Sequence, residues 1–234
     1  MEKERIFVGI KKGDFIKINF TGRTEEGLVF DTTEEKAAKE AKVYDEKISY
    51  KPILLVVGKQ QAIRGIDEAV EGMEPGQTKE LTVAPEKAFG ERNADMITVV
   101  PAAKFEKENI NPAPGLLVTI DNRDGMVRSV GGGRVIVDFN HPLAGKTLKY
   151  TLKVEALLKT VDEKVKALFD DAGLIGEVTV KNNIIAASTK ADPSTDYIYR
   201  KQNFLSWMQE MPDVKKVTFN EEYEIKEGTK KELE

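Results

Sequence analysis

Residues 138–146, with the sequence DFNHPLAGK, are the stretch that decides the fold of this chain. Three shorter segments precede them in a fixed order: INFTG at 18–22, FD at 30–31 and GKQQAIRGI at 58–66. The stretch itself is typical of a turn, because a proline follows the only histidine of the chain and a glycine comes three residues later. Apolar patterns typical of strands lie on both sides of it, so the chain passes here from one β unit back into another.

Composition limits the classes of function. The chain has 234 residues, 40% hydrophobic and 32% charged, as in soluble globular proteins, and this length allows one large domain or two to three small ones. A net charge of −4 without a basic block argues against nucleic-acid binding. The absence of cysteine excludes disulfides, thiolate metal sites and thiol nucleophiles. No signal core and no segment of bilayer length is present, so we expect a cytoplasmic protein without a membrane partner.

The first part of the chain is predicted to form a sheet with one short helix. Apolar residues alternate over 15–30, and the turn at 25–27 makes this segment a hairpin. A charged helical bulge is predicted at 34–41 and a strand at 53–57. Apolar residues then recur at helical spacing over 62–73, which predicts a helix with one face on a core.

The rest of the chain divides into an inserted unit and a C-terminal module. Four short strands separated by turns rich in Gly, Asn and Asp predict a small β unit, after which 147–158 forms a strand that closes the first sheet. The pattern then changes to helix, hairpin, helix and strand, and a charged tail at 226–234 is predicted to be disordered. The predicted units are 1–90 and 138–159 for the interrupted first domain, 91–137 for the insert, and 160–234 for the C-terminal domain.

Together the four motifs resemble an FKBP-type peptidyl-prolyl cis-trans isomerase. More narrowly, the chain resembles the SlyD-like branch, in which a chaperone domain is inserted into the flap, and its long archaeal members with an additional C-terminal domain. The resemblance covers about 12–158 by motif and the remainder by position and length. It implies an α+β fold: an FKBP-type antiparallel sheet wrapped on a short helix, with an inserted small β domain and a C-terminal α/β module.

The resemblance also implies a pocket without acid–base chemistry. Rotation about an X-Pro amide breaks no bond, and the twisted transition state is less dipolar than the planar amide, so an apolar site favours it. Asp31 corresponds to the carboxylate at the edge of the pocket, and the backbone N–H of Ile63 to the donor for a substrate carbonyl. Tyr150 lies on the same strand face as Leu152 and is a further candidate. The residues that correspond to the wall are Phe20, Phe30, Ile63, Ile66, Phe89 and Leu152.

Each of these residues also has a structural interpretation. Phe20, Phe30 and Leu152 at alternate strand positions are typical of ordinary core packing. Asp31, followed by two threonines, could merely cap the predicted helix at 34–41. The sequence does not decide between these interpretations and the pocket.

The chain departs from the family pattern at three positions, where Phe20 replaces a tyrosine, Ile66 a tryptophan and Phe89 a tyrosine. The loss of the hydroxyl at Phe89 weakens inhibitor binding more than turnover in this interpretation. His141 cannot belong to a histidine-built metal cluster, because it is the only imidazole, and it is interpreted as a turn residue near the pocket. No metal and no cofactor is predicted.

The insert of the family binds unfolded segments. Apolar residues that could form such a surface here also suit the core of the insert: Ile97, Val99, Phe105, Leu117 and Ile120. A similar ambiguity applies to the helix at 194–210, whose apolar stripe, with Trp207 off its main line, suits either core packing or a partner.

The predicted function is peptidyl-prolyl isomerisation with chaperone activity on unfolded or proline-containing polypeptides. One alternative is a holdase chaperone or peptide-binding module with weak turnover, which Ile66 and Phe89 favour. Another makes the C-terminal module an oligomerisation device, with a homodimer as the simplest assembly.

Overall fold

The computed structural model describes residues 9–191 and 194–224 of the chain. Its first sheet is antiparallel, with strand order β2-β1-β9-β4 and with β3 also paired to β1. Two short helices accompany it, α1 (Glu35–Glu40) and α2 (Arg64–Ala69). The strands are β1 (Phe15–Thr24), β2 (Val29–Thr32), β3 (Ile53–Val56), β4 (Thr78–Val83) and β9 (Leu148–Leu158).

The central strands of this sheet carry its core. β1 and β9 pair over their whole length, with Ile18 opposite Val154 and Phe20 opposite Leu152. Alternate residues of both strands are buried against α2. Ile66 of this helix and Val70, which follows it, fill the space between the helix and the sheet. The predicted sheet wrapped on a short helix is confirmed, although α2 is shorter than the apolar pattern over 62–73.

The insert forms a separate four-stranded sheet of order β5-β8-β7-β6. One face is covered by α3 (Ala102–Lys107), which places Phe105 on a small core with Val127, Val135 and Val137. The sequence missed this helix. The strands are β5 (Ile97–Pro101), β6 (Leu117–Ile120), β7 (Arg123–Gly131) and β8 (Arg134–Asp138).

The C-terminal module packs two helices on a three-stranded sheet of order β10-β11-β12, in which β11 pairs antiparallel with β10 and parallel with β12. Thr160 and Glu163 form a capping box at the start of α4. The elements are α4 (Val161–Asp171), β10 (Gly176–Lys181), β11 (Ile184–Ala191), α5 (Thr195–Glu210) and β12 (Lys216–Tyr223). The charged tail predicted at 226–234 lies outside the described residues.

The module shares a core with the first sheet. Phe15, Val56 and Leu158 of that sheet belong to the same buried cluster as Leu168 and Phe204 of the module. The rings of Phe15 and of Trp207 on α5 meet in a T-shaped arrangement, with centroids 6.4 Å apart. The apolar stripe of α5 therefore packs in a core, and Trp207 contacts the first sheet.

Candidate functional site

Three aromatic rings gather at one end of the first sheet. The ring of Tyr150 on β9 lies 6.1 Å from that of Phe20 on β1 and 5.8 Å from that of Phe30 on β2, between centroids. The contact with Phe30 is edge-on, an arrangement that aromatic pairs favour. Tyr150 is almost fully buried, whereas Phe20 and Phe30 are half-buried. The three rings form an apolar wall that reaches the surface.

Gly22 makes room for this wall. It lies on β1 opposite both Tyr150 and Asp31. A Cβ atom at this position would lie 2.6 Å from Cζ of Phe30 and 2.9 Å from Cε1 of Tyr150, which is closer than real contacts allow. The glycine of the INFTG motif is therefore needed because the two rings close over the backbone here.

Hydrogen bonds fix β2 and the residues after it against β1. The backbone N–H of Phe20 donates to Oγ1 of Thr33 at 2.9 Å, and this hydroxyl donates to Oδ1 of Asn19 at 2.8 Å. The amide of Asn19 in turn donates to Glu155 on β9 at 2.8 Å. A further hydrogen bond of 2.8 Å joins the buried hydroxyls of Thr21 and Thr32. These bonds fix Thr32 and Thr33, the two residues that follow Asp31, and so set the position of Asp31 opposite Gly22.

The loop at 57–66 presents a backbone donor at Ile63, which packs against the same core cluster as the rings of the wall. The buried carboxylate of Asp67 accepts from the N–H of Gly58 at 2.8 Å, and Gln61 accepts from the N–H of Val56 at 2.7 Å. Ile63 is the N-cap residue of α2 and is half-buried. Within the described part of the chain, its N–H has no hydrogen-bond acceptor. An N–H at a helix start is available to a substrate carbonyl.

Asp31 lies at the edge of the wall, on the exposed side of β2. Desolvation raises the pKa of its carboxyl group, and a hydrogen bond from the N–H of Thr32 lowers it by less. Burial raises the pKa of Tyr150, and the nearby charge of Asp31 raises it further, so the phenol stays protonated. Glu34, not Asp31, is the N-cap residue of α1, and no side chain caps that helix. The interpretation of Asp31 as a helix cap is wrong.

The turn at 138–146 places His141 over Phe89. Their rings are parallel, with centroids 4.2 Å apart and an angle of 5° between planes. The N–H of Leu143 donates to Nδ1 of His141 at 3.2 Å, which holds the imidazole in the turn. A bond from the N–H of Gly145 to the carbonyl of Gly90 joins the turn to the segment that carries Phe89. His141 thus has a packing partner that the sequence did not indicate.

Two protein families match the chain: "FKBP-type peptidyl-prolyl cis-trans isomerase" over residues 8–108, and "FKBP26, IF domain" over residues 98–143. A short-type peptidyl-prolyl cis-trans isomerase of Methanocaldococcus jannaschii is 40% identical over 145 residues, covering 62% of this chain and 92% of the relative. The chain belongs to the FKBP-type peptidyl-prolyl cis-trans isomerase family.

Two further relatives support the SlyD-like resemblance. An FKBP-type peptidyl-prolyl cis-trans isomerase SlyD of Helicobacter pylori is 34% identical over 136 residues, covering 56% of this chain and 72% of the relative. A probable FKBP-type 16 kDa isomerase of Pseudomonas fluorescens is 30% identical over 144 residues, covering 59% of this chain and 85% of the relative. The predicted SlyD-like FKBP-type isomerase with polypeptide substrates agrees with these relatives. No helix among the described residues has the length and apolarity that a bilayer span requires.

The predicted pocket residues of this FKBP domain occupy three depths. Phe20, Phe30 and Phe89 are half-buried and have surface to offer, as has Ile63. Tyr150 and Ile66 are almost fully buried behind them. Leu152 has no exposed surface and packs in the core beneath Tyr150. The secondary candidate, Tyr150, is therefore nearer to the pocket surface than Leu152, two residues further along the same strand face.

The predicted insert surface is only partly exposed. Val99 and Leu117 are 56% and 69% exposed, and Ile97 is 37% exposed. Ile120 faces the other side of the sheet, and Phe105 packs on that side from α3. Both are buried in the core of the insert, so their assignment to an exposed surface is wrong. Sequence reasoning missed Ile136, which pairs with Val99 and is exposed on the same face. Its alternation with the buried Val135 and Val137 was the available signal.

Asp31→Asn tests the role of the carboxylate. We expect several-fold slower turnover of a short X-Pro peptide with an unchanged circular dichroism spectrum. The folded state raises the pKa of the Asp31 carboxyl group above its ordinary 3.8. Ionisation of this group therefore lowers the free energy of unfolding as the pH rises through and above that value. The stability of the variant relative to the natural protein should therefore be higher at pH 7 than at about pH 3. Denaturant midpoints at both pH values measure this shift, and unchanged turnover would remove Asp31 from the site.

Proposed function

We propose that the chain isomerises prolyl bonds in unfolded or partly folded polypeptides at the FKBP pocket, after its insert has bound the same polypeptide. The observation that carries this proposal is the wall of Phe20, Phe30 and Tyr150 in one cluster with Ile63, whose N–H has no acceptor among the described residues. The site residues are those of this wall with Asp31, Ile66 and Phe89, and Leu152 supports them from the core. We assign 1–90 and 138–159 to the FKBP domain, 91–137 to the insert and 160–234 to the C-terminal domain.

The proposed mechanism is differential binding of the twisted amide. A planar X-Pro amide is more dipolar than the twisted one, and three apolar rings solvate the twisted form relatively better. The N–H of Ile63 holds a neighbouring carbonyl so that rotation of the prolyl bond is the remaining freedom. Asp31 faces the twisting carbonyl and orients the rings around it. No proton is transferred, so no pair of titrating groups is required.

The insert raises the local concentration of substrate. Val99, Ile136 and Ile97 form an exposed apolar patch on one face of its sheet, and such patches are typical of sites that bind other chains. A polypeptide bound there presents its prolines to the pocket at an effective concentration of about millimolar for short spans. Refolding proteins should therefore be better substrates than short peptides.

A protease-free assay on a short X-Pro peptide, run beside the refolding of a protein limited by proline isomerisation, tests the proposed function. We expect turnover of both substrates, with the larger catalytic efficiency on the protein. Turnover of the peptide should be nearly flat between about pH 6 and 9, because the mechanism requires no titrating acid–base pair. A bell-shaped profile with steep limbs, or no turnover of either substrate by the folded protein, would contradict the mechanism.

A holdase with weak turnover is the second candidate. The packing of Phe89 against His141 favours it, because one face of that ring is covered and no hydroxyl remains to bond a ligand. In this case the protein suppresses aggregation of an unfolded client while the peptide assay shows rates close to the uncatalysed reaction. The two assays in parallel separate the candidates.

We also propose a homodimer through the C-terminal domain. Within the described residues, its sheet has two edge strands, β10 and β12, and exposed apolar residues include Ile198 and Tyr223. Unpaired strand edges favour association with another chain. Sedimentation equilibrium of the full chain over a hundredfold range of concentration tests this proposal, and a mass of one chain throughout would refute it.

A further inference from the structure

A cleft of about 410 Å³ lies between the insert and the turn at 138–146. This volume is within the range of about 300–1,000 Å³ that is typical of ligand pockets. Leu117 and Met126 of the insert supply apolar lining, and His141 lines the side toward the FKBP pocket. His141 also stacks on Phe89, so the cleft adjoins this residue of the proposed FKBP pocket.

Positive charge exceeds negative charge in this cleft. Three cationic residues line it, Arg92, Arg128 and Lys146, against two acidic residues, Asp124 and Asp138. The whole chain carries a net charge of −4, so this excess is a local feature.

Both carboxylates are already engaged by the protein. Oδ2 of Asp138 accepts from Arg92 and from Nη2 of Arg128, the latter at 2.8 Å. Its Oδ1 accepts from the N–H and the amide of Asn140, and Oδ1 of Asp124 accepts from Thr119 at 2.6 Å. The hydrogen bonds from Asn140 and Arg128, together with the charge of Arg92, lower the pKa of Asp138 to about 2, in spite of its burial.

The cations retain donors that no group among the described residues uses. Two guanidinium groups share one oxygen of Asp138, and the side chains of Arg92 and Arg128 remain 44% and 45% exposed. Lys146 is exposed, and its charge contributes to lowering the pKa of Glu26 without a side-chain hydrogen bond within the described ranges, so its ammonium donors stay open to a ligand. A further carboxylate would find charge-assisted donors here beside an apolar wall.

We infer that this cleft binds an acidic side chain of the client polypeptide, next to an apolar one, and so selects prolines that have Asp or Glu nearby. The inference rests on the proposed function and specifies its substrate class. An extended chain advances about 3.3 Å per residue, and the cleft adjoins the pocket at His141, so the acidic residue lies within a few positions of the proline.

Peptides with one proline and one Glu, placed two, three or four positions before or after it, test the inference against the same peptides with Gln. At low salt we expect catalytic efficiency to rise about fivefold for Glu in one register. The preference should shrink at 1 M salt, where the screening length falls from about 10 Å to about 3 Å. Equal efficiencies for Glu and Gln in all six registers would overturn the inference.

Two variants locate the effect. Arg128→Gln leaves Arg92 on Asp138, and Lys146→Gln leaves the Asp138 cluster untouched, so the second variant stays informative if the first fails to fold. Each should lower the Glu preference at least twofold without changing turnover of the Gln peptides. Arg134→Gln, an exposed arginine of the insert that does not line the cleft, is the matched control and should keep the full preference.

The same data separate this inference from the proposed function. Turnover of the Gln peptides without a Glu preference refutes the acidic-residue selection and leaves the isomerase intact. Absence of turnover for every peptide refutes the isomerase itself. If Arg134→Gln lowers the Glu preference as much as Lys146→Gln does, the preference arises from general positive charge and not from the cleft. This result would also overturn the cleft assignment.

Discussion

Replacement of residues 91–137 by a short flexible link is expected to slow catalysed refolding of a proline-limited protein at least about tenfold and to abolish suppression of aggregation. Turnover of a short X-Pro peptide should change by less than about twofold. The first effect follows because the insert no longer holds the substrate near the pocket, so the effective concentration of substrate there falls. The second follows because the aromatic wall and the N–H of Ile63 belong to the first sheet and its loop, outside the replaced segment.

The structure makes this excision feasible. The chain enters and leaves the insert side by side, because the N–H of Asn93 donates to the side chain of Asn140 and the amide of Asn140 donates to the carbonyl of Asn93. The excision removes Arg92 and Arg128 from Asp138, so the shortened chain should also be made with Asp138→Asn. Retained suppression of aggregation by the folded, shortened chain would place the client surface outside the insert.

A second experiment keeps the insert folded. Val99→Ser with Leu117→Ser removes two exposed apolar side chains, and Ile175→Ser with Ile198→Ser removes two of similar exposure from the C-terminal module. Only the first pair should weaken suppression of aggregation. Equal effects of both pairs would indicate that general surface hydrophobicity, and not the insert, binds the client.

Local patterns predicted the architecture well, since alternation and turn residues depend on neighbours in sequence. The first sheet follows from the alternation in β1 and β9, and the insert was recognised from its own strands and turns. α3 was missed because six residues give too little periodicity to distinguish a helix from a loop. Phe105 was consequently misplaced, since its burial depends on that helix.

Contacts between distant segments were not predictable in the same way. Trp207 meets Phe15 across almost the whole length of the chain, and no local pattern indicates which surface of the first sheet the C-terminal module covers. The parallel pairing of β11 and β12 likewise depends on how α5 returns the chain. In the site, the motifs named Phe20 and Phe30, and Tyr150 was a candidate from the strand face that it shares with Leu152. The depth of each residue and the stacking of His141 on Phe89 required the structure.

Gly22→Ala is expected to lower peptide turnover at least about tenfold and to cost about 1–3 kcal/mol of stability, the usual range for overpacking. The new methyl group would lie 2.6 Å from Phe30 and 2.9 Å from Tyr150, so at least one ring must move. Because both rings belong to the wall, the shift acts directly on the pocket. Activity on the peptide and the denaturant midpoint, measured on one sample, give the two effects.

Gly131→Ala is the matched control, because a methyl group there meets nothing within 4 Å and the backbone conformation is ordinary. It should leave both quantities unchanged. Gly22→Ala combined with Phe30→Leu makes room for the methyl group by shortening one ring. We expect this double variant to regain part of the lost stability and none of the turnover, since the space is restored but the wall lacks one aromatic face. Recovery of turnover together with stability would mean that the pocket needs only dense packing at Gly22, and would remove the aromatic character of Phe30 from the mechanism.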